Sequence, residues 1–483
     1  MKKLLLVCLL PGTLLLSHMS HAQDKWGLRR CVDYAVANNI SIKQADVQAR
    51  LNKLVLDQSR LQQVPTLALG ASGAVIAGRQ NVNAFTLTNV TYFYNSYSLQ
   101  SNVNVFNFFS LRNSIDANRY AWQASLASTE KTKNDISLNV ANAYLQVLLA
   151  REQAEAAQKK LELSQSQLEI TRKQVQAGTL PELNSAELEA QVAQDSSNYI
   201  SLVGQIQQNI LGLKAYMGLD AGAPFEVDTP PVDQIPVEQL VNLQPDAVYD
   251  LALVNQPQQK ADALTIEANR KNVKANRGAM YPSLSLQGSV GTNYSSNAKT
   301  VTLSNPQYLT TITLPDYHVE GTNAAVLQDV YKYDTVSKRI PYFEQLNNGF
   351  NQYVGLSLNI PIFNNGTLRT NYSRSKLNLR NAELQRDQDN LTLKNNIYQA
   401  YTAASIALQK YEANKISLAA TTKSADFAHK RYAVGMLNTI DLLTNDNNKF
   451  NAEINLLSSQ YDYVFKLKVL EFYKGLGIKL TKD

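Results

Sequence analysis

Cysteine and histidine are nearly missing from this chain. Its 483 residues hold two cysteines, Cys8 and Cys31, and four histidines, His18, His21, His318 and His429. Cys8, His18 and His21 fall in an N-terminal leader described below. Cys31 is then left without a partner for an intrachain disulfide, and a histidine-based metal site within one chain is not expected. Met1 and Met19, two of only five methionines, also precede the expected mature start, which argues against metal as a cargo. Long apolar runs are missing too. After Gly27 none approaches the ~18 to 20 residues of a membrane helix, so entry into a membrane would have to be by strands. The formal charge of +6 loses Lys2 and Lys3 with the leader, and no basic stripe interleaves with aromatics, which argues against a nucleic-acid partner. No His-Glu-x-x-His, phosphate-binding glycine loop or nucleophile elbow occurs, so no catalytic, metal-binding or cofactor-binding residue is assigned. Acidic residues are scattered beside Lys and Arg and read as solvated helix surface.

What is present is a sequence written twice. Moving Val105-Phe106-Asn107 onto Ile362-Phe363-Asn364 also brings Leu111-Arg112 onto Leu368-Arg369, Gly178 onto Gly435 and Tyr216-x-Gly218-Leu219 onto Tyr473-x-Gly475-Leu476. Further upstream, Ala35-x-x-Asn38 matches Ala252-x-x-Asn255 and Pro65 matches Pro282 at a spacing shorter by about 40 residues. An insertion in the second copy accounts for the difference, and insertions of that size belong in loops. Residues 1–22 read as a signal peptide, with Lys2-Lys3, an apolar core over Leu4 to Leu16 and a small-x-small site at Ser20-His21-Ala22. Cys8 lacks the small residues that precede a lipid-bearing cysteine. The domain reading is therefore a leader at 1–22, a first repeat at 23–221, a linker at 222–245 and a second repeat at 246–483.

Four stretches alternate with period two: Leu67 to Val75, Leu99 to Val105, Leu284 to Val290 and Val354 to Ile362. One apolar and one small or polar face, over about 9 to 11 residues, is the pattern of a transmembrane barrel strand. Tyr92, Phe93, Tyr94 and Tyr97 gather at one end, and Phe106, Phe108, Phe109 and Phe363 at the other, which suits two interfacial girdles or a hydrophobic core. The rest reads as helix. Ser110 to Gln176 contains no proline or glycine and would extend roughly 100 Å. A break at Gly178-Thr179-Leu180-Pro181 leads to a second helix, Glu182 to Met217. The second copy repeats this as Thr367 to Val434, Gly435-Met436-Leu437, and Thr439 to Lys474. Single helices are expected before each first strand, from Leu28 to Gln63 and from Asp246 to Met280. The proline-rich 222–245 segment is expected to be irregular with one short helix, and the polar 293–351 segment to be an enlarged loop.

The fold class is thus an α+β membrane protein, a tandem-repeat protomer with four transmembrane β-strands and long α-helices. Four strands leave two edges whose backbone groups hydrocarbon cannot satisfy, so other copies must close the barrel. Two copies give eight strands, whose interior side chains fill; three give twelve and an aqueous lumen, with the helices continuing as an α-helical barrel.

These features together resemble the TolC-type outer-membrane efflux protein family over essentially the whole mature chain. The resemblance rests on the tandem layout, on Val64-Pro65 and Tyr281-Pro282, and on Val354-Gly355-Leu356-Ser357-Leu358-Asn359-Ile360-Pro361-Ile362-Phe363. It rests also on Arg431-Tyr432-x-Val434-Gly435 followed by Thr439-x-Asp441-Leu442-Leu443. It implies a homotrimeric channel-tunnel in the outer membrane of a Gram-negative-type envelope, with helices in the periplasm. A periplasmic adaptor (membrane fusion) protein, an inner-membrane pump and outer-membrane lipid are the implied partners, and no cofactor is implied. Efflux of small molecules such as drugs is the first function it suggests, and type I protein secretion the alternative. A coiled-coil envelope scaffold or adhesin would explain the helices but not the strands, and no residue set recommends an enzyme acting on envelope polymers.

Gly178 and Gly435 read locally as helix terminators. The resemblance makes Gly178-Thr179-Leu180 and Gly435-Met436-Leu437 the tips that dock the adaptor, and points to a periplasmic gate at Tyr432, Asp441, Thr444 and Asn184. Tyr432 matches the family's tyrosine. Thr444 stands where the most tightly closed relatives carry a second acidic residue, Leu437 where they carry arginine, and Asn184 where the second copy has Asp441. The charged latch is thinned, and a tip held by packing and hydrogen bonds is expected. Asp441 reads either as a solvated charge favoured by the helix dipole or as one of three carboxylates converging on an axis.

Overall fold

The computed structural model describes residues 25–83, 86–229, 235, 237–303, 308–322, 324–332 and 334–475. The expected leader with Cys8, and Pro230, Pro231 and Pro236 of the linker, lie outside them. The chain divides into two compact units. One takes residues up to Lys53, Tyr120–Glu267 and those from Arg380 onward; the other takes Leu54–Arg119 and Ala268–Leu379. Each unit draws on both sequence copies.

Helices α1 (Leu28–Asn38) and α2 (Ile40–Leu61) precede strands β1 (Thr66–Asn83) and β2 (Thr86–Phe106), then α3 (Ser110–Gln176) and α4 (Glu182–Met217). In the second copy, α5 (Pro245–Asn255) and α6 (Pro257–Gly278) precede β3 (Ser283–Ser295). After an inserted segment come β8 (Asn351–Asn359), α8 (Thr367–Ala433) and α9 (Thr439–Tyr473). Freedom from proline and glycine carries α3 and α8 to 67 residues each.

The helix before each first strand is broken in two, a correction to the sequence reading. Asn39 and Gln256 are extended, with ψ of 132° and 130°. Pro257 explains the second break, because proline disfavours helix in the residue before it. At the first break, the Asn39 side chain accepts from Ser41 N–H at 2.8 Å, a local bond that competes with the helix ladder. Both breaks gain tertiary bonds. The Asn39 amide donates to Tyr216 O at 2.7 Å, and the Gln256 amide donates to Phe472 O at 2.9 Å and Tyr473 O at 3.1 Å. These acceptors are last-turn carbonyls of α4 and α9 that have no intrahelical donor.

The first unit holds two hydrophobic cores that copy one another. Cys31, Ala35, Val140, Val147, Ile210 and Leu213 lie in one, and Val248, Ala252, Ile397, Ala404, Leu467 and Leu470 in the other, each pair related by the repeat. Burial pushes the Cys31 thiol up to about 12, which makes it unreactive. Bonds hold the described ends of the linker: Lys214 Nζ donates to Ala221 O and Ala223 O at 2.8 and 2.6 Å, and Glu238 N–H donates to Glu471 at 2.7 Å. Among its described residues the short helix is a 3-10 turn, Leu240–Asn242.

In the second unit β1, β2, β3 and β8 form an antiparallel sheet in that order. The register pairs Leu69 with Leu99 and Leu99 with Val290, then Val103 with Leu286 and Leu286 with Leu356. One face is therefore apolar across all four strands, and Leu69, Leu99, Leu286 and Leu356 are exposed on it. The opposite face aligns Asn102 with Thr66 and Gln287, and Gln100 with Ala68 and Ser289. β8 stops at Asn359, short of the expected Ile362, at the approach to Pro361.

The inserted segment is more ordered than a loop, the second correction. β4 (Lys299–Leu303) pairs with β7 (Thr335–Arg339), and β5 (Tyr308–His318) with β6 (Ala325–Lys332). A short helix, α7 (Tyr342–Asn348), then leads into β8.

Candidate functional site

The turns after α3 and α8 are built alike. Gly178 and Gly435 share a left-handed φ of 74°. Gly178 N–H reaches Val175 O at 2.9 Å and Thr179 N–H reaches Gln174 O at 2.9 Å; Gly435 N–H reaches Tyr432 O at 3.0 Å and Met436 N–H reaches Arg431 O at 2.8 Å. Both are Schellman motifs, which satisfy the last carbonyls of a helix and call for glycine at the reversing residue. The helices that follow start differently. Asn438 caps α9 by accepting from Asp441 N–H at 2.7 Å, whereas α4 starts from Pro181 without a side-chain cap. Met436, Val434, Leu183 and Ile440 are exposed beside the turns, and Leu180 and Leu437 are half-buried.

The expected gate residues do not form one cluster within the chain. Tyr432 Oη lies 3.4 Å from Thr171 Oγ1 and 3.5 Å from Thr439 Oγ1, where α3, α8 and α9 meet. Asp441 is exposed on the first turn of α9, and its backbone carbonyl accepts from Asn445 at 2.8 Å. Thr444 turns its hydroxyl back to Ile440 O at 2.8 Å. Asn184 is half-buried on the first turn of α4, with its N–H on Pro181 O at 3.2 Å.

Farther along the same helices, where scattered charges suggest solvated surface, is a polar network. Asp195 of α4, 3 % exposed, pairs with Lys160 of α3 at 3.0 Å. Its carboxylate also accepts from Ser164 at 2.5 Å and Gln191 at 2.8 Å. Lys160 Nζ donates to Asn447 of α9 at 2.5 Å and lies 4.5 Å from the Phe450 ring centroid. Asp446 of α9 meets His429 of α8 at 2.8 Å and accepts from Gln167 of α3 at 3.2 Å. A buried carboxylate is tolerable only when paired and hydrogen-bonded, and Asp195 is both. A buried ion pair therefore lies on the helices that lead to these turns, beside their packed apolar residues. The partners come from separate helices, and no spacing in the sequence could have matched them.

Two helix faces are left open. α2 exposes Ile40, Val47, Leu54 and Leu61, and α8 exposes Leu377, Leu384, Leu391 and Tyr398, each series at intervals of seven. Apolar residues at that interval form the seam of a coiled coil. Among the described residues no group of three His, Cys, Asp or Glu could hold a metal ion, and no helix is long and apolar enough to cross a membrane.

Comparison with known proteins gives one consistent result. The outer membrane efflux protein family matches residues 31–219 and 248–475. The fold is similar to that in crystal structures of CusC, with a TM-score of 0.74 at 17 % identity over 94 % of this chain and 92 % of that one. It is also similar to the outer membrane protein VceC of Vibrio cholerae, with a TM-score of 0.72 at 15 % identity over 94 % and 97 %. The open-state MtrE outer membrane channel of Neisseria gonorrhoeae gives 0.69 at 20 % identity over 94 % and 90 %. Among curated proteins, the alkaline protease secretion protein AprF of Pseudomonas aeruginosa is 21 % identical over 357 residues, 73 % of this chain. The chain spans 64 % of that relative's length.

Proposed function

Since the chain belongs to the outer membrane efflux protein family, we propose that it is the passive exit duct of a tripartite export system that carries small molecules such as drugs or toxic compounds. The family is one of outer-membrane channels, which sets the sheet in the outer membrane and the helices in the periplasm. A periplasmic adaptor and an inner-membrane pump are the partners, and the pump supplies the energy. The duct itself performs no chemistry.

The observation that carries this reading is the four-stranded sheet. It has one continuous apolar face, and among the described residues β1 and β8 each leave an edge without a partner strand. In hydrocarbon an open edge costs several kcal/mol per unsatisfied group, so the sheet needs neighbouring copies. Three copies close twelve strands around an aqueous lumen, and the sevenfold-spaced apolar faces of α2 and α8 supply helical surface for the same association. The tips at Gly178, Thr179 and Leu180 and at Gly435, Met436 and Leu437 dock the adaptor, with exposed Met436 and Leu183 as apolar contacts. Tyr432, Asp441, Thr444 and Asn184 control the opening behind them.

A second reading is favoured by one specific finding. AprF is named for secretion of an alkaline protease, and its similarity to this chain supports type I protein secretion through the same duct.

Photo-crosslinkers placed at Thr179 and Met436 in living cells test both readings. Capture of a periplasmic adaptor is expected, and the pump joined to that adaptor separates small-molecule efflux from protein secretion. A trimer in the outer membrane that captures no adaptor at either position would sink the tripartite role.

A further inference from the structure

The inserted segment places a helix where a barrel strand would expose bare apolar surface. α7 is fixed to β3 by two bonds, Thr292 Oγ1 donating to Leu346 O at 2.6 Å and Gln345 Oε1 accepting from Ser295 N–H at 2.9 Å, and Gln345 Nε2 holds the segment before the helix by donating to Ile340 O at 2.8 Å. Tyr342 packs its ring 4.8 Å from that of Tyr294, and its hydroxyl lies 3.0 Å from that of Tyr97. The register puts Tyr97, Thr292 and Tyr294 on the apolar face, in line with Leu99 and Val290. They occupy the end of the sheet remote from the β2–α3 turn. α7 therefore lies on the apolar face, at its loop-bearing end.

Two features lie beside this helix in the chain. Phe343, its ring 5.3 Å from Tyr342, is 81 % exposed, and Phe350 just beyond α7 is exposed as well. Four residues before Phe343, Arg339 stands directly opposite Lys299 in the β4–β7 ladder. Like charges facing each other across a ladder are destabilising. Neither makes an ion pair with a carboxylate among the described residues, although Glu344 lies close in sequence. A facing pair of cations, followed within a few residues by exposed aromatic rings, matches an amphiphile that carries phosphate at its head and acyl chains below. Lys and Arg bind the phosphate through charge-assisted hydrogen bonds, and aromatic rings settle at the depth of the headgroups.

We propose that Lys299, Arg339, Phe343 and Phe350 form a binding site for a phosphorylated glycolipid of the outer leaflet, with α7 as its platform. The inference rests on the reading that the apolar sheet face meets lipid. Charge complementarity and continuity with that face select a lipid over a free anion or a second copy of the chain.

The test uses the full chain, purified and reconstituted in vesicles of phosphatidylcholine with or without a bis-phosphorylated lipid A. Native mass spectrometry should retain the glycolipid, and the double substitution Lys299→Ser with Arg339→Ser should weaken its binding by roughly thirtyfold, from about 1 kcal/mol per cation. Phe343→Ser should also lower retention. Competition by millimolar inorganic phosphate, or undiminished retention in the double variant, would overturn the proposal. Brominated lipids separate it from the reading beneath it. Tryptophan in Phe343→Trp and in Leu356→Trp should both be quenched. Quenching of the Leu356 variant alone refutes the site and leaves the membrane face standing, whereas quenching of neither refutes both. Disulfide coupling of two chains through Phe343→Cys would assign the patch to a subunit interface and overturn the lipid site.

Discussion

The side-chain amide of Asn39 donates a 2.7 Å hydrogen bond to the carbonyl of Tyr216, and the repeat places Gln256 in the same relation to Tyr473, at 3.1 Å. Each bond ties a helix break to the end of another helix and satisfies a carbonyl that the helix ladder leaves open. Asn39→Ala and Gln256→Ala should each lower stability by about 1 kcal/mol, since each removes hydrogen bonds that are partly or fully shielded from water. Denaturant titration of the detergent-solubilised protein measures this. A loss under about 0.3 kcal/mol in both would show that packing alone fixes the junctions.

The Lys160–Asp195 pair makes a different demand. Removing one partner strands a buried charge, so Lys160→Met should cost about 3 to 5 kcal/mol, and Lys160→Met with Asp195→Leu should recover much of that. The double variant keeps apolar volume while losing the bonds to Asn447 and Ser164. If the network helps hold the tip shut, both variants should raise single-channel conductance in planar bilayers. Recovery of stability without recovery of low conductance would separate the two roles.

Where the chain has one dominant local signal, sequence and structure agree closely. The missing proline and glycine in 110–176 predict α3 from end to end, and the alternation of Leu284, Leu286 and Val290 predicts a strand in its correct face. The break at Asn39 carries no such punctuation, because it depends on a carbonyl of Tyr216 far away in sequence. Pro257 did mark the second break, and the helical composition around it hid the mark. In the insert, Thr and Tyr at 308–313 carry strand propensity, but the ladder with β6 forms only once Gly321 turns the chain at a φ of 83°. Asp195 and Lys160 look like ordinary surface residues until three helices bring them together.

Two glycines with the same left-handed φ of 74° should respond differently. At Gly435 a Cβ meets nothing within 4 Å, so Gly435→Ala should cost only the conformational penalty of about 1 to 2 kcal/mol. At Gly475 a Cβ would come within 2.5 Å of Asn255 Cβ, and Gly475→Ala must also displace the end of α5. Thermal unfolding should rank Gly475→Ala well below Gly435→Ala; equal midpoints would contradict the close approach.

Asp262 of α6 should make stability depend on pH. Burial pushes its carboxyl up to about 6, aided by the facing Asp389 and opposed by the Gln258 amide and by Arg386. One of its oxygens is buried without a hydrogen-bond partner. The folded state holds the proton more tightly than the unfolded chain, so this contribution is complete below about pH 4 and is lost as pH rises through about 6. Asp262→Asn should raise the melting temperature at pH 8, change it little at pH 4, and flatten the profile between. An unchanged slope from pH 5 to 7 would exclude Asp262 as its source.

Asp441 separates stability from permeation. Its carboxylate is exposed on the first turn of α9, where the helix dipole favours an anion by about 0.3 to 1 kcal/mol, and Asn438 caps the helix independently through Asp441 N–H. Asp441→Asn keeps that backbone bond and removes only the charge, so its stability loss should stay below about 1 kcal/mol. In the proposed trimeric gate the same change deletes three negative charges. Reversal potentials across a KCl gradient should then move toward anions relative to the parent channel, and Asn438→Ala should lower stability without that movement. An Asp441→Asn channel with unaltered ion preference would leave the residue as a dipole charge and remove it from the gate.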